Sequence, residues 1–409
     1  MQRDIPMNRL DDMQGTQRAS DVIHLNNAGA SLMPRRVLDT VLEHLQLEAR
    51  IGAYEAAELV HARIEKVYAS IARLLNAHPD EIAVVENATR AWDMAFYALP
   101  LKRGDVVLTS TTEYAGNYIP YLQLQQARGI QVRIIPNDER GQVSVCALRE
   151  MLKDPRVRLI SLPLIASNGG PVQPVGAIGP IARAAGVWFL LDACQAVGHL
   201  PVDVKKIGCH MLSATSRKYL RGPRGMGFLY IEEGLCRQLE PPFLDLHAAR
   251  LETAERYCIR PDARRFENWE CNVAAKLGMG AAIDHALEIG IGAIWRRILG
   301  LSDALREGLA RVPGVRVHDA GLVKSGIVTF TVDGFVAARV QQALALHDRR
   351  INVSTTTCRS TMLDMQQRGL TELVRASVHA CNTEHEIDTV LKAIESLAKG
   401  KTHAGMSIR

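Results

Sequence analysis

The chain has 409 residues, of which 47% are hydrophobic and 23% charged, with a formal net charge of +5. That length exceeds one typical domain and supplies a sizeable core. The Lys and Arg are scattered, with no basic tract carrying interleaved aromatics, which argues against nucleic-acid binding and suits single anionic groups such as a phosphate or a carboxylate.

Residues 1–20 are polar and read as an N-terminal arm without the apolar core of a signal peptide. No apolar run has the length of a membrane span. The eight cysteines form no C-x-x-C pair and no zinc pattern. Reduced thiols, a cytoplasmic location, no membrane partner and no metal are therefore expected.

Beyond the arm, β-branched runs alternate with helix-like stretches. Strands are expected at Ile82–Val85, Val106–Ser110, Val132–Pro136, Val157–Ile165, Val187–Ala193, Met211–Thr215 and Gly227–Ile231. Helices are expected at Thr89–Leu99, Tyr118–Ala127, Cys146–Leu152 and Ile178–Ala185. A continuous apolar strand such as Val187–Ala193 implies burial on both faces, as in a parallel sheet. The expected class is α/β, a mostly parallel central sheet covered by helices. From about Lys276 the pattern changes. One long helical stretch, Ala274–Leu309, leads into Val315–His318, Gly326–Val332, the helix Ala337–His347, and the closing segments Leu373–Ser377 and Glu384–Leu397. This reads as a smaller α+β C-terminal domain, giving expected units of 1–20, 21–275 and 276–409.

In an open parallel sheet, ligands gather beyond the carboxyl ends of the strands. Three polar clusters fall there. FLLDACQAVGHLPVDV sets Asp192 at the end of an apolar run, with Gln195 three residues on. LSATSRKYLRGPRGMGFLYI sets Thr215, Arg217 and Lys218 between a strand and a Gly-rich hairpin. VVENATRAWDMAF makes a strand-to-helix junction at Asn87, Ala88 and Thr89. A Schiff-base cofactor needs a lysine whose amine can be neutral, which burial near another cation favours; Lys218 follows Arg217 directly. It needs a carboxylate to keep a pyridine nitrogen protonated, which Asp192 could supply. It also needs an anion cradle, which the helix start at Ala88–Thr89 offers, completed by Thr215 and Arg217.

The order Asp-x-x-Gln-x-x-Gly, Ser/Thr-x-x-Lys, Gly-x-Gly, with Asp192 and Lys218 twenty-six positions apart, resembles class V of the fold-type I pyridoxal-phosphate (PLP) enzymes. That group includes cysteine desulfurases, isopenicillin N epimerase-like proteins and the C–S lyases of ergothioneine biosynthesis. The resemblance runs from about Asn26 to Leu397, through LNNAGASLMP, RFENWECNVAAKLGMGAAIDHAL and LVRASVHACNTEHEID. It implies the PLP-dependent transferase type I fold, PLP as cofactor, an amino acid substrate and a homodimer.

It also implies residue roles. Lys218 forms the Schiff base and shuttles protons. Asp192 pairs with the pyridine nitrogen, and Gln195 with the ring hydroxyl. Ala88, Thr89, Thr215 and Arg217 hold phosphate. Tyr114 lies over the ring, and Asn168 near the ring hydroxyl and the substrate. Arg375 binds the substrate α-carboxylate, for which its planar fork is suited. The expected reaction is that of a C–S (cysteine-conjugate) lyase. The alternatives are an aminotransferase or epimerase, or a desulfurase using Cys358, with Arg359 beside it able to lower the thiol's pKa.

The chain departs from the family pattern in places. Arg217 stands where desulfurases carry His, and the residues around Cys358 do not match the desulfurase loop, so Cys358 reads as a plain loop cysteine. Glu270 falls near a Thr that reaches the partner subunit's phosphate. Ala380 and Cys381 replace aromatic residues of the lyase type. His379 reads as a structural histidine, and Trp92, Met94 and Phe96 as packing residues.

Overall fold

The computed structural model of the chain describes residues 22–404; the N-terminal arm expected over residues 1–20 lies outside them. Strand β1 (Ile23–His24) is followed by three helices, α1 (Arg35–Ile51), α2 (Ala53–Leu59) and α3 (His61–Leu75). Then come β2 (Ile82–Val85), α4 (Ala88–Ala98), β3 (Val106–Ser110), α5 (Ala115–Arg128) and β4 (Gln131–Ile135). The alternation continues with α6 (Val145–Met151), β5 (Val157–Pro163), α7 (Val175–Ala184), β6 (Trp188–Asp192), α8 (Val204–Ile207), β7 (Met211–Thr215) and β8 (Gly227–Ile231). The expected strands and helices of this region are thus present, with ends moved by at most three residues. The three helices between Arg35 and Leu75 were not expected.

These strands form one sheet in the order β2-β8-β7-β6-β5-β3-β4. The five strands from β7 to β4 pair in parallel, and β8 runs antiparallel to both β7 and β2. The connections explain the mixture. Parallel neighbours need a crossover helix, whereas β7 reaches β8 through a loop of eleven residues, 216–226, and so returns antiparallel. Both faces are buried, as the continuous apolar runs require. Phe189 and Leu191 enter one core, with Ile71, Ile178 and Met279, while Leu190 enters the other, with Trp92, Phe96 and Tyr121. Trp92, Met94 and Phe96 belong to that second core, as expected of packing residues.

The later chain adds α9 (Glu233–Cys236) and the hairpin β9 (Ala249–Thr253) and β10 (Arg256–Ile259), then α10 (Val273–Ile289) and α11 (Ile291–Arg311). The single helix expected over Ala274–Leu309 is two, meeting at 79°. Gly290 makes the break with φ 94°, a region open to glycine at little cost. The smaller antiparallel sheet has the order β11-β12-β15-β14. Its strands are β11 (Val315–Val317), β12 (Ile327–Val332), β14 (Ser354–Thr357) and β15 (Glu372–Ser377). Helices α11, α12 (Ala337–Ala345) and α14 (Glu384–Ala404) cover it; β13 (Ile351–Asn352) and α13 (Met362–Gln367) complete the chain.

The expected boundary between the two units lies at 275/276. That boundary falls inside α10, whose Ala275, Met279 and Ile283 pack into the core beneath the large sheet. Conversely, β1 pairs with β13, and Ile23 and Leu25 sit in the core of the smaller unit. Among the described residues no single helix is long and apolar enough to cross a membrane.

Candidate active site

A cavity of about 620 Å³ opens beyond the carboxyl ends of the parallel strands. Strand β5 ends on Pro163, β6 on Asp192 and β7 on Thr215, and all three residues line it. The ten residues to which the resemblance gives cofactor or substrate roles all line this one cavity: Ala88, Thr89, Tyr114, Asn168, Asp192, Gln195, Thr215, Arg217, Lys218 and Arg375. The smaller unit supplies Arg375 on β15 together with Thr355, Thr356 and Ser360, so the cavity lies between the two sheets.

Asp192 is 8% exposed. Its Oδ1 accepts the Cys194 N–H at 2.9 Å, and its Oδ2 accepts Asn117 Nδ2 at 2.9 Å. Gln195 and Asn168 are buried and each donates its amide, to Ala28 O at 3.1 Å and to Thr361 Oγ1 at 2.8 Å. The amide oxygens of both are buried without a hydrogen-bond partner. A buried orphan acceptor is costly, so two of them beside one cavity mark a place where a donor is wanted.

Lys218 stands on the loop after β7, part-buried. Burial is the largest cause lowering its amine pKa, Arg217 and Arg375 add to it, and Cys194 and Asp192 oppose it. Burial near another cation was what the sequence led one to expect, and of the two desolvation is the stronger effect. The loop is held rigidly. Ser31 donates its N–H to Arg217 O at 2.8 Å, Gly222 donates to Ser216 O at 2.9 Å, and Arg221 takes φ 61°. The Arg217 guanidinium hydrogen-bonds Gly29 O while still lining the cavity.

The start of α4 also forms part of the wall. Asn87 caps it, taking the Arg90 N–H at 2.9 Å, which leaves the first N–H groups of the helix directed outward. Gly227 on β8 permits this junction: a Cβ there would stand 2.6 Å from Asn87 C and 2.7 Å from Ala88 N.

Arg375 donates Nε to Ser354 Oγ at 3.0 Å and Nη1 to Ser167 O at 3.2 Å. Among the described residues no carboxylate pairs with it, and burial lowers its pKa from the usual guanidinium range. Its charge thus faces the cavity without an internal counter-ion.

Other residues fall outside the cavity wall. His379 is buried behind the lysine loop, where Nε2 donates to Tyr219 O at 3.1 Å. Its pKa is lowered well below the usual value, first by burial; it is a structural histidine. Cys358 gives its N–H to Thr371 O at 2.9 Å, and the cavity wall nearby is made by Ser360 instead. Glu270 is exposed. Sequence reasoning missed Asn117, Cys194, Ser167 and the hydroxyls at 355, 356 and 360. Asn117 follows Tyr114 by three residues at a helix start, so the two share a face; that spacing was the available signal.

The fold and the site together define a PLP enzyme of the fold-type I kind. The aminotransferase class-V family model matches residues 23–390, and the chain belongs to that family, whose cofactor is pyridoxal 5'-phosphate. A probable cysteine desulfurase of Methanothermobacter thermautotrophicus is 27% identical over 405 residues, 97% of either chain. A probable hercynylcysteine sulfoxide lyase of Mycobacterium tuberculosis is 29% identical over 373 residues, 91% of this chain and 89% of that one. Among solved structures, the apo cysteine desulfurase of Thermococcus onnurineus superposes with TM-score 0.88 at 27% identity, covering 98% of this chain and 99% of that one. A cystine C–S lyase solved with its product cysteine persulfide shares the fold, with TM-score 0.81 at 23% identity over 91% of this chain and 97% of that one.

Proposed function

We propose that the chain is a C–S lyase that removes a sulfur group from the β-carbon of a cysteine conjugate, with PLP held at Lys218. The observation that carries this reading is the set of groups lining the cavity. It holds an amine of lowered proton affinity, one buried carboxylate, two guanidinium groups, and no thiol poised to capture sulfur. Its own cysteine, Cys194, has its pKa raised well above the usual value, foremost by burial. It is therefore a protonated thiol and a poor nucleophile. Cys358, on which the desulfurase alternative depends, is not among the lining residues.

PLP suits what the cavity offers. Asp192 would meet the ring nitrogen. The orphaned oxygen of Gln195 would accept from the ring hydroxyl, that of Asn168 would accept from the substrate, and Tyr114 would flank the ring. The α4 start at Ala88 and Thr89, with Thr215 and Arg217, would hold the phosphate. The cofactor supplies, when bound, an electron sink that acidifies the α-carbon of the amino acid. Arg375 orients the substrate by its carboxylate. The Nζ of Lys218, whose proton affinity burial lowers, would take the α-proton. The β-carbon–sulfur bond then breaks and sulfur leaves with the bonding pair; water completes the balance, giving a thiol or sulfenate, pyruvate and ammonium. The hydroxyls of Thr355, Thr356 and Ser360 support a polar, uncharged sulfur substituent. Within the same reading the enzyme works as a homodimer, for which the exposed side chains of Tyr54, Leu59 and Ile119 leave apolar area to be covered.

Incubating the holoenzyme with S-substituted cysteines and their S-oxides should release pyruvate, and Cys358→Ala should leave the rate unchanged. Amino transfer to a 2-oxo acid without pyruvate would overturn the lyase reading. So would alanine formation from cysteine that Cys358→Ala abolishes.

A further inference from the structure

Behind Asp192 stands a second buried carboxylate that the reaction above does not use. Glu113, in the turn between β3 and α5, is 3% exposed. Its Oε2 accepts from Thr109 Oγ1 at 2.7 Å and from the Tyr121 hydroxyl at 3.0 Å. Its Oε1 accepts the Tyr114 N–H at 2.9 Å and Asn117 Nδ2 at 3.0 Å. The same Asn117 nitrogen donates to Asp192 Oδ2 at 2.9 Å. An amide nitrogen carries two hydrogens, so that of Asn117 is fully used between the two carboxylates. The other oxygen of Asp192 is held by the Cys194 N–H. Asp192 therefore cannot turn without breaking a charge-assisted hydrogen bond.

No basic side chain among the described residues pairs with Glu113. A buried carboxylate without a cation is costly. Burial is the largest cause raising its pKa, to about 7, and the charge of Asp192 adds to it, against hydrogen bonds from Thr109, Asn117 and Tyr121. Only a carboxylate accepts at both of these oxygen positions: in an amide the –NH2 that replaces one oxygen donates and cannot accept.

We propose that Glu113 is a positioning residue for the cofactor: acting through Asn117, it fixes the carboxylate of Asp192 against the ring nitrogen and so keeps that nitrogen protonated. Glu113 itself touches neither cofactor nor substrate. The inference rests on the reading of Asp192 as the partner of the ring nitrogen.

The test is the nitrogen NMR shift of ring-labelled [15N]PLP in the holoenzyme. The native protein should show a protonated ring nitrogen and Asp192→Asn an unprotonated one. If the native nitrogen is unprotonated, or Asp192→Asn leaves it unchanged, the reading of Asp192 fails and takes this inference with it. With that reading secure, Glu113→Gln and Asn117→Leu should each move the shift toward the unprotonated value and weaken PLP binding about tenfold. The double variant should go no further than the larger single effect, because both act through one contact. If Glu113→Gln does not fold, Thr109→Val, which removes one anchor of Glu113 and keeps its charge, should move the shift the same way by less. A native shift in the folded Glu113 or Thr109 variant would overturn the proposal and leave Glu113 a brace of the α5 start.

Discussion

Arg375 shows how much of the site rests on the geometry of single side chains. It is held by a serine hydroxyl and a backbone carbonyl, so its remaining N–H groups face the cavity as a preset fork. Arg375→Lys keeps the charge and loses the fork. Steady-state kinetics should then show KM for the amino acid raised about 10- to 100-fold with a smaller change in kcat, the mark of lost ground-state binding. An unchanged KM would remove Arg375 from the substrate site. At this scale the sequence was informative because the chemistry demands particular residue types at strand ends: Asp192 ends β6 and Lys218 stands just past β7, whereas Arg375, within β15, was marked by the family resemblance. Their hydrogen-bond partners were not legible. Glu113, Asn117 and Asp192 meet only because α5 begins beside the end of β6, and the register between β3, β5 and β6 brings those ends together.

At the scale of elements, the approach of β8 to the start of α4 controls the anion cradle. A methyl at Gly227 would meet backbone atoms of Asn87 and Ala88 at 2.6–2.7 Å, and backbone cannot swing aside as a side-chain tip can. Gly227→Ala should therefore displace the helix start. We expect about 1–3 kcal/mol of stability lost and PLP affinity reduced about tenfold or more, measured by thermal unfolding and by cofactor titration. Unchanged cofactor affinity would mean that the α4 start does not hold the phosphate. The strands were readable from runs buried on both faces, and the start of α4 from the strand-to-helix junction at Asn87. The break at Gly290 was not, because the apolar pattern continues across it while a single residue turns the axis. Helices α1 and α2 escaped notice because few of their residues are buried, only Val37 and His44 in α1 and Ala56 in α2.

Across the whole molecule, the two units are joined by buried neutral histidines. His199 Nδ1 donates to Gln195 O and its Nε2 accepts the Gly326 N–H, both at 2.9 Å, while its ring stacks on Tyr219 at 3.7 Å. Both ring nitrogens are committed to a neutral form, and burial foremost lowers its pKa to about 3. The unfolded chain takes up the proton first. The stability linked to His199 is thus complete above about pH 6.5 and is lost as pH falls toward about 3. Chemical unfolding across that window should show stability falling by up to ~1.4 kcal/mol per pH unit per buried histidine. His199→Asn should be less stable at neutral pH but show a shallower slope; an equal slope would refute the linkage. The sequence alone determined the α/β class, because strand burial restricts residue type locally, and its motifs, through the family resemblance, marked the cofactor and ten residues that line one cavity. Only the tertiary structure decided that the first strand belongs with the last sheet, that a buried carboxylate stands behind Asp192, and that Cys358 lies off the cavity wall. Each of these depends on contacts between segments distant in the chain, which no local pattern encodes.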